Sequence, residues 1–279
     1  MKYVGAIKGS VVALIIFAII AIFVPGYGVS EDVLIIVTVS TFIFAILVGY
    51  FLSGNYQKFV NIQSSAIQED AFFLSFYKTA QINGEKFSGK IRELIDKYYI
   101  SVYDSYGSKE YPYKVNRAYF LEMWDAVRKL KPIKNSMAFS WMLEELTNIE
   151  ANRNAASSKS RSKMGLGNWT VLIVLASIIL FCIFYLRVDA LYSQIISVLL
   201  STTLILVLLK IRDLQNLKGS GGGIVPESGQ ELFEAMGKPR YYNQYLIKKG
   251  WYKVPKNVTE YRLGLHEPGE KPKIKLIKI

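Results

Sequence analysis

The sequence predicts an all-α polytopic membrane protein, with four transmembrane helices in two hairpins, a helical cytoplasmic block and a small C-terminal α+β tail. Three observations lead to this fold class. The chain of 279 residues is 51% hydrophobic, its mean hydropathy is +0.23, and its apolar residues gather in four long runs. Roughly 20 helical residues cross a hydrocarbon core about 30 Å thick. Helices this apolar on every side would be unstable at the surface of a water-soluble fold.

The four apolar runs predict two membrane hairpins. Hairpin 1 is residues 1–53, with spans at about 4–24 and 33–52, and hairpin 2 is residues 168–210, with spans at about 169–186 and 190–209. Lys2 and Lys8 also give the first run some features of a secretory signal. The PGYGVSED that follows has no clear cleavage site, and a second run comes almost at once. A hairpin is therefore the favoured interpretation.

The charge distribution predicts the orientation of the spans. Between the hairpins, region 54–167 holds 17 Lys and Arg against 12 Asp and Glu, and region 210–279 holds 14 against 7. Basic residues near span ends stay in the cytoplasm. We therefore expect a multi-pass protein of the plasma membrane, with both termini, the helical region 54–167 and the tail 211–279 cytoplasmic. Attraction to anionic headgroups explains much of the net charge of +12, so we expect no nucleic-acid partner.

The region between the hairpins shows helical periodicity. Apolar residues recur at intervals of three and four in four segments, which are 55–81, 87–102, 115–130 and a stretch that starts at 137. Only Gly54 separates the second span from the first of these segments. The sequence therefore predicts that the second span and this segment form one long helix.

The tail predicts a small mixed element. KIKLIKI at 273–279 alternates lysine with aliphatic residues, as in a half-exposed edge strand, and EYRLGL at 260–265 is its expected partner. Ser228 and Glu231 fit a capping box at the start of a helix, and Gly237 suits the end of that helix. Residues 241–249 are expected to form another short helix.

The reactive side chains are few. The chain has one cysteine, Cys182, inside the third span, and one histidine, His266, near its end. The usual Cys/His zinc constellations are therefore absent from the sequence, and a satisfied or solvated His266 is expected. KGSGGGI lacks the Lys-Ser/Thr of a phosphate loop. We assign no catalytic residue, metal or cofactor, and an enzyme acting in the membrane is the least supported class.

The second span carries small and hydroxylated residues and no charge. Thr41, Ala45 and Gly49 fall at four-residue intervals, which lets helix backbones approach closely. Helix packing is the default explanation of this pattern. The alternative is that one face of this span lines a pore, because apolar constrictions with few hydroxyls can gate by dewetting and pass weakly hydrated anions. The candidate pore-lining residues on that face are Val37, Thr41, Phe44 and Val48.

Specific motifs resemble a known family. Residues 49–80 combine a glycine, a polar helix and the segment Glu69-Asp70-Ala71, and Arg153 and Arg161 precede Trp169 at the start of the third span. Together with the order of spans and helical block, these motifs are similar to the bestrophin-like four-span membrane proteins over about residues 1–237. In residues 212–236, Asp213 and Gly219 match the family motif, but Gln215-Asn216-Leu217 replaces its proline–phenylalanine pair.

The resemblance implies an oligomeric ion channel, by analogy with true bestrophins an anion channel, whose second span surrounds the axis. The implied partners are the lipid bilayer, further copies of the chain and small anions. A membrane-anchored scaffold or sensor, whose cytoplasmic helices bind a partner, remains the alternative.

The charged residues around the last span are structural candidates rather than catalytic ones. Lys210 and Arg212 are expected to stop the fourth span at the headgroups. Asp213 is expected to pair with one of them, or with Arg153 or Arg161. Gly219 lies in the glycine-rich turn that follows. The structural or charge-pair candidates are therefore Arg153, Arg161, Arg212, Asp213 and Gly219.

Overall fold

The computed structural model describes residues 4–105, 116–130, 136–217, 227–250, 253–267 and 270–278. The helices are α1 (Ala6–Phe23), α2 (Glu31–Gln81), α3 (Glu85–Ser105), α4 (Arg117–Arg128), α5 (Ser136–Arg161), α6 (Leu166–Tyr185), α7 (Leu191–Gln215), α8 (Glu227–Ala235) and α9 (Gln244–Lys248). The strands are β1 (Arg240–Asn243), β2 (Glu260–Gly264) and β3 (Ile274–Lys278). The chain forms two compact units, the first from Met1–Phe59 and Lys163–Gly219 and the second from Val60–Ser162 and Ser220–Ile279.

The first unit contains the membrane-spanning helices. Four helices, α1, α2, α6 and α7, are long and apolar enough to cross a membrane. Most of their large apolar side chains are exposed on the outside of the unit, where lipid would solvate them. The prediction of a helical protein with four transmembrane helices is confirmed.

The core of the first unit lies between α2, α6 and α7. Its buried side chains are Phe44, Leu172, Ala176, Ile179, Leu204 and Ile211. Helix α1 packs closely along α7, and Gly9 permits this approach, because a Cβ at Gly9 would lie 2.6 Å from Cδ1 of Leu209. The small residues of these helices therefore serve helix packing at this contact.

The second unit begins within α2. This helix runs for 51 residues without a break at Gly54, as the sequence predicts. Its C-terminal part packs with α3, α4, α5 and α8 around a core rich in aromatic residues. Fully buried members include Phe73, Tyr98, Met123, Leu146 and Phe233. The apolar stripes of the predicted helices supply these contacts.

The tail contains a three-stranded sheet of order β1-β2-β3. Strand β3 pairs antiparallel with β2, with Arg262 opposite Leu276, which is the predicted pairing. Strand β1 pairs parallel with β2. The predicted helix over 241–249 is wrong in its first half, because Tyr241–Asn243 belong to β1 and only Gln244–Lys248 are helical. Tyr241 and Tyr242 are buried, so tertiary packing overrides the local helical pattern.

The ends of α8 differ in how well the sequence predicts them. The predicted capping box is wrong, because the helix already includes Glu227 and Ser228 donates its hydroxyl to Asp70 instead. The C-terminal prediction holds. Gly237 has φ of +71°, and the Lys238 amide donates to the Phe233 carbonyl at 2.9 Å, as in a Schellman motif.

Candidate functional site

The predicted pore face of α2 divides between an internal and an exposed part. Phe44 is 8% exposed, and Val37 and Val48 pack around it against the core of the first unit. Thr41 is exposed. The structure therefore brings Val37, Phe44 and Val48 together on the inward side of α2 and places Thr41 at the border of the outward side.

The outward side of this span carries a strip of small residues. Thr38, Thr41, Ala45 and Gly49 are all exposed, at intervals of three and four residues. The Thr38 hydroxyl donates to the Leu34 carbonyl at 2.7 Å, so its hydrogen bond is made within the helix. A Cβ at Gly49 would meet no atom within 4 Å. We call these four residues the small-residue strip.

Asp213 caps the N-terminus of α1. Its Oδ2 accepts the amide of Ala6 at 2.8 Å, and the carboxylate is buried. Arg212 donates through Nη2 to Oδ1 of Asp213 at 2.9 Å and to the carbonyl of Val4 at 2.6 Å. The carboxylate therefore meets both an arginine and the positive end of a helix dipole. Of the predicted partners of Asp213, Arg212 contacts it.

Arg187 holds the opposite end of α1. Its guanidinium is buried and donates to the carbonyls of Ala21 and Val24, which lack partners within the helix. The chain next to it is closely packed, because a Cβ at Gly26 would lie 1.9 Å from the carbonyl oxygen of Arg187. The Tyr27 amide donates to the carbonyl of Tyr185 at 2.9 Å.

These contacts define the two ends of the first unit. The α1–α2 and α6–α7 turns meet at Arg187, while the start of α1 meets the end of α7 at Asp213. Gln215 belongs to the Asp213 end, where its side chain accepts from Nε1 of Trp169 at 3.0 Å. The chain therefore enters the first span and leaves the fourth span at the same end of the unit.

Arg153, a structural or charge-pair candidate, lies among aromatic and amide groups. It is buried in the second unit, donates to Oδ1 of Asn116 at 2.8 Å, and lies over the rings of Tyr98 and Phe120 at 5.2 and 4.5 Å. Rings and an amide oxygen stabilise this buried cation. Arg161, by contrast, is exposed at the end of α5. Gly219 lies outside the described residues.

A buried carboxylate joins three elements of the second unit. Asp70 of α2 accepts hydrogen bonds from the hydroxyls of Tyr99 on α3 and Ser228 on α8, both at 2.5 Å. Its neighbour Glu69 accepts from the hydroxyl of Tyr98. Burial raises the pKa of Asp70 to about 7, with the charge of Glu69 adding to the rise and the two hydroxyls opposing it. Burial, and then the charge of Asp70, raises the pKa of Tyr99.

His266 is buried in the tail and fully engaged. Its Nε2 lies 2.7 Å from Oδ2 of Asp104, and its Nδ1 accepts the amide of Lys273 at 3.1 Å, so Nε2 carries the proton and donates. Asp104 also accepts from Tyr241 and Asn243. His266 is therefore satisfied, which is one of the two states that the sequence predicts. Within the described ranges, no three His, Cys, Asp or Glu side chains are grouped so that they could hold a metal ion.

Three residues that matter here do not stand out in the sequence. Arg187 is a cation close to a helix end, yet the helix that it caps lies 166 positions away in the chain. Gly26 occurs in a turn-like PGYG, which gives no hint of contact with the second hairpin. Asp70 is part of the family-like acidic segment, but its burial depends on α3 and α8.

Comparison with known proteins agrees with this architecture. The sequence matches the family model of the Bestrophin-like domain over residues 9–214. Similar solved structures include a bacterial bestrophin homologue from Klebsiella pneumoniae carrying one substitution, with a TM-score of 0.64 and 12% identity over 82% of this chain and 99% of that one. A membrane protein with a glycine-to-alanine substitution has a TM-score of 0.65 and 12% identity over 82% and 98% of the two chains. At this identity the likeness shows the fold. No curated protein matches the chain.

Proposed function

The chain belongs to the Bestrophin-like family, and from that premise we propose that it is an integral membrane protein that assembles into an oligomeric anion channel. The observation that carries the proposal is the uncharged span of α2, whose small-residue strip is exposed on a single chain. A residue that lines a pore between subunits must be exposed in the isolated subunit. Apolar walls with a few hydroxyls suit weakly hydrated anions.

Within this proposal, Thr41 is the pore-face residue that the permeating ion would meet. Phe44, Val37 and Val48 would support the wall from behind, because they pack against α6 and α7. Small residues on either side of Thr41 would leave room for a neighbouring α2 helix or for a hydrated ion.

We further propose that the protein lies in the plasma membrane. Both chain termini, the region 54–167 and the tail 211–279 would then lie on the cytoplasmic side. Charge supports this orientation. Lys159 and Lys163 precede the second hairpin, and Lys210 and Arg212 lie at its end. Basic residues in such positions remain on the cytoplasmic side. The position of the α1 start and the α7 end at one end of the first unit supports a common side for both.

Cysteine modification in liposomes tests the channel and its pore face together. The background is C182A, which removes the buried native thiol. T41C in this background should react with a charged, membrane-impermeant thiol reagent, and the reaction should reduce iodide flux nearly to that of protein-free liposomes. T203C is the matched control, because Thr203 is an exposed threonine on α7 whose hydroxyl donates to Leu199. Its flux should be unaffected by the reagent.

The outcomes separate the two parts of the proposal. If T41C conducts but its flux survives complete modification, or if it does not react, Thr41 does not face the pore. If the unmodified and correctly assembled wild-type protein shows no flux, the channel function is wrong. A membrane-anchored scaffold would then be the better account of the chain.

A further inference from the structure

We propose that the outer edge of β3 binds an extended acidic segment of another protein, which adds a strand to the sheet of the tail. This inference is independent of ion conduction. It concerns the surface formed by the exposed edge and side chains of Ile274–Lys278, which we call the β3 edge.

The β3 edge has backbone groups available for a partner strand. The sheet order is β1-β2-β3, so β3 pairs with β2 along one edge only. In the part of the chain that the structure describes, no strand pairs with its other edge. The opposite border of the sheet differs, since every residue of β1 is buried. An outer strand of this kind is a template for β-augmentation.

The apolar side chains of β3 lie outside the part of the sheet face that other elements of the chain cover. By register, Leu276 stands opposite Arg262, which stands opposite Tyr241, so the three side chains share a face. On that face Tyr241 is fully buried, and Arg262 bonds Asp96 of α3. Leu276 remains 47% exposed and Ile274, on the same face, 41%. A partner strand with apolar residues would continue the buried layer.

Charge selects the kind of partner. Lys271, Lys273, Lys275 and Lys278 are all exposed on or beside β3. Lys278 lies 4.0 Å from Glu260, which faces it from β2. A second copy of β3 paired parallel and in register would bring lysines opposite lysines, which is destabilising in a paired strand. A segment that alternates acidic and aliphatic residues would place its acids opposite Lys273 and Lys275 on one face and its aliphatic residues over Ile274 and Leu276 on the other. The lysines therefore disfavour self-association while admitting an acidic strand.

A direct test uses the full-length protein in detergent and a fluorescent blocked peptide that alternates glutamate and valine, about seven residues long, a typical strand length. We expect saturable binding by fluorescence anisotropy. The double substitution K273E/K275E, on the lysine face of the strand, should weaken it by about tenfold, through loss of two exposed charge pairs and their replacement by repulsion. K256E is the matched control, since Lys256 is an exposed lysine in a turn of the tail, and its affinity should match wild type.

Two further peptides separate strand pairing from simple charge attraction. A glutamate–valine peptide with alternate backbone amides methylated keeps the charge but loses the donors for pairing, and it should not bind. A lysine–valine peptide should not bind either. Binding of the methylated peptide equal to that of the parent would overturn strand addition in favour of a general anionic surface, such as lipid headgroups. Equal weakening by K256E would do the same. Association of the protein with itself in the absence of peptide, if K273E/K275E abolishes it, would assign the edge to a second copy.

Discussion

Asp70 should make the stability of the protein depend on pH near neutrality. Its carboxyl is buried among Tyr99, Ser228 and Glu69, and burial raises its pKa from 3.8 to about 7. An acid whose pKa is higher in the folded than in the unfolded state holds its proton more tightly when folded. Its stabilising contribution is therefore complete below about pH 4 and is lost as the pH rises through about 7.

The size of the effect follows from the two pKa values. Between about pH 5 and pH 8, the unfolded carboxyl is ionised throughout, while the folded one keeps its proton for most of the interval. Linkage then gives a loss of about 3 kcal/mol in the free energy of unfolding. For a chain of this size that corresponds to a fall in melting temperature of roughly 6–12 °C.

D70N removes the titration and keeps the shape of the side chain. Its amide can accept from Tyr99 and donate to Ser228, so we expect a folded protein whose melting temperature is nearly flat over this interval. The assay is thermal unfolding in detergent at constant ionic strength, followed by intrinsic fluorescence, with circular dichroism as a check of folding. E231Q is the control, since Glu231 is an exposed acid on α8, and it should retain the wild-type slope. A slope in D70N as steep as in wild type would refute the assignment.

Two further predictions concern the ends of α1. D213A removes the acceptor of the Ala6 amide and should destabilise the protein by about 1–2 kcal/mol, as loss of an N-cap does. The control D189A changes a side chain that is 72% exposed and should leave the melting curve unchanged. Equal melting curves for D213A and wild type would contradict the capping role of Asp213. G26A would place a Cβ 1.9 Å from a backbone oxygen and should lower the melting temperature or prevent assembly, while G54A, with open space around it, should not. A G26A protein as stable as G54A would show that the two turns do not pack as described.

The fold could be predicted from the sequence largely because its signals are local. An uncharged run such as 33–52 is long enough to cross a bilayer whatever it packs against. Periodic apolar residues predicted α3, α4 and α5, and alternation predicted β3 with its partner. The prediction failed where tertiary contacts compete with local pattern. Tyr241 is buried against the rest of the second unit, so the chain there extends, and Ser228 is drawn from its capping role to Asp70.

The site residues were harder to predict because their partners are distant in sequence. Asp213 was identified as a charge-pair candidate from its neighbours, and Arg212 does contact it. Asp213 also accepts from the Ala6 amide, 207 positions away, and no spacing rule connects the two. The surroundings of Arg153 could not be predicted for a similar reason. The sequence offers it as a structural or charge-pair candidate, but the two rings and the amide oxygen around it belong to α3 and to the start of α4. A charge in this chain becomes structural when helices that are remote in sequence bury it. Arg161 and Lys275, by contrast, stay exposed, as expected of basic residues whose proposed roles, in orientation and at a strand edge, follow from local sequence alone.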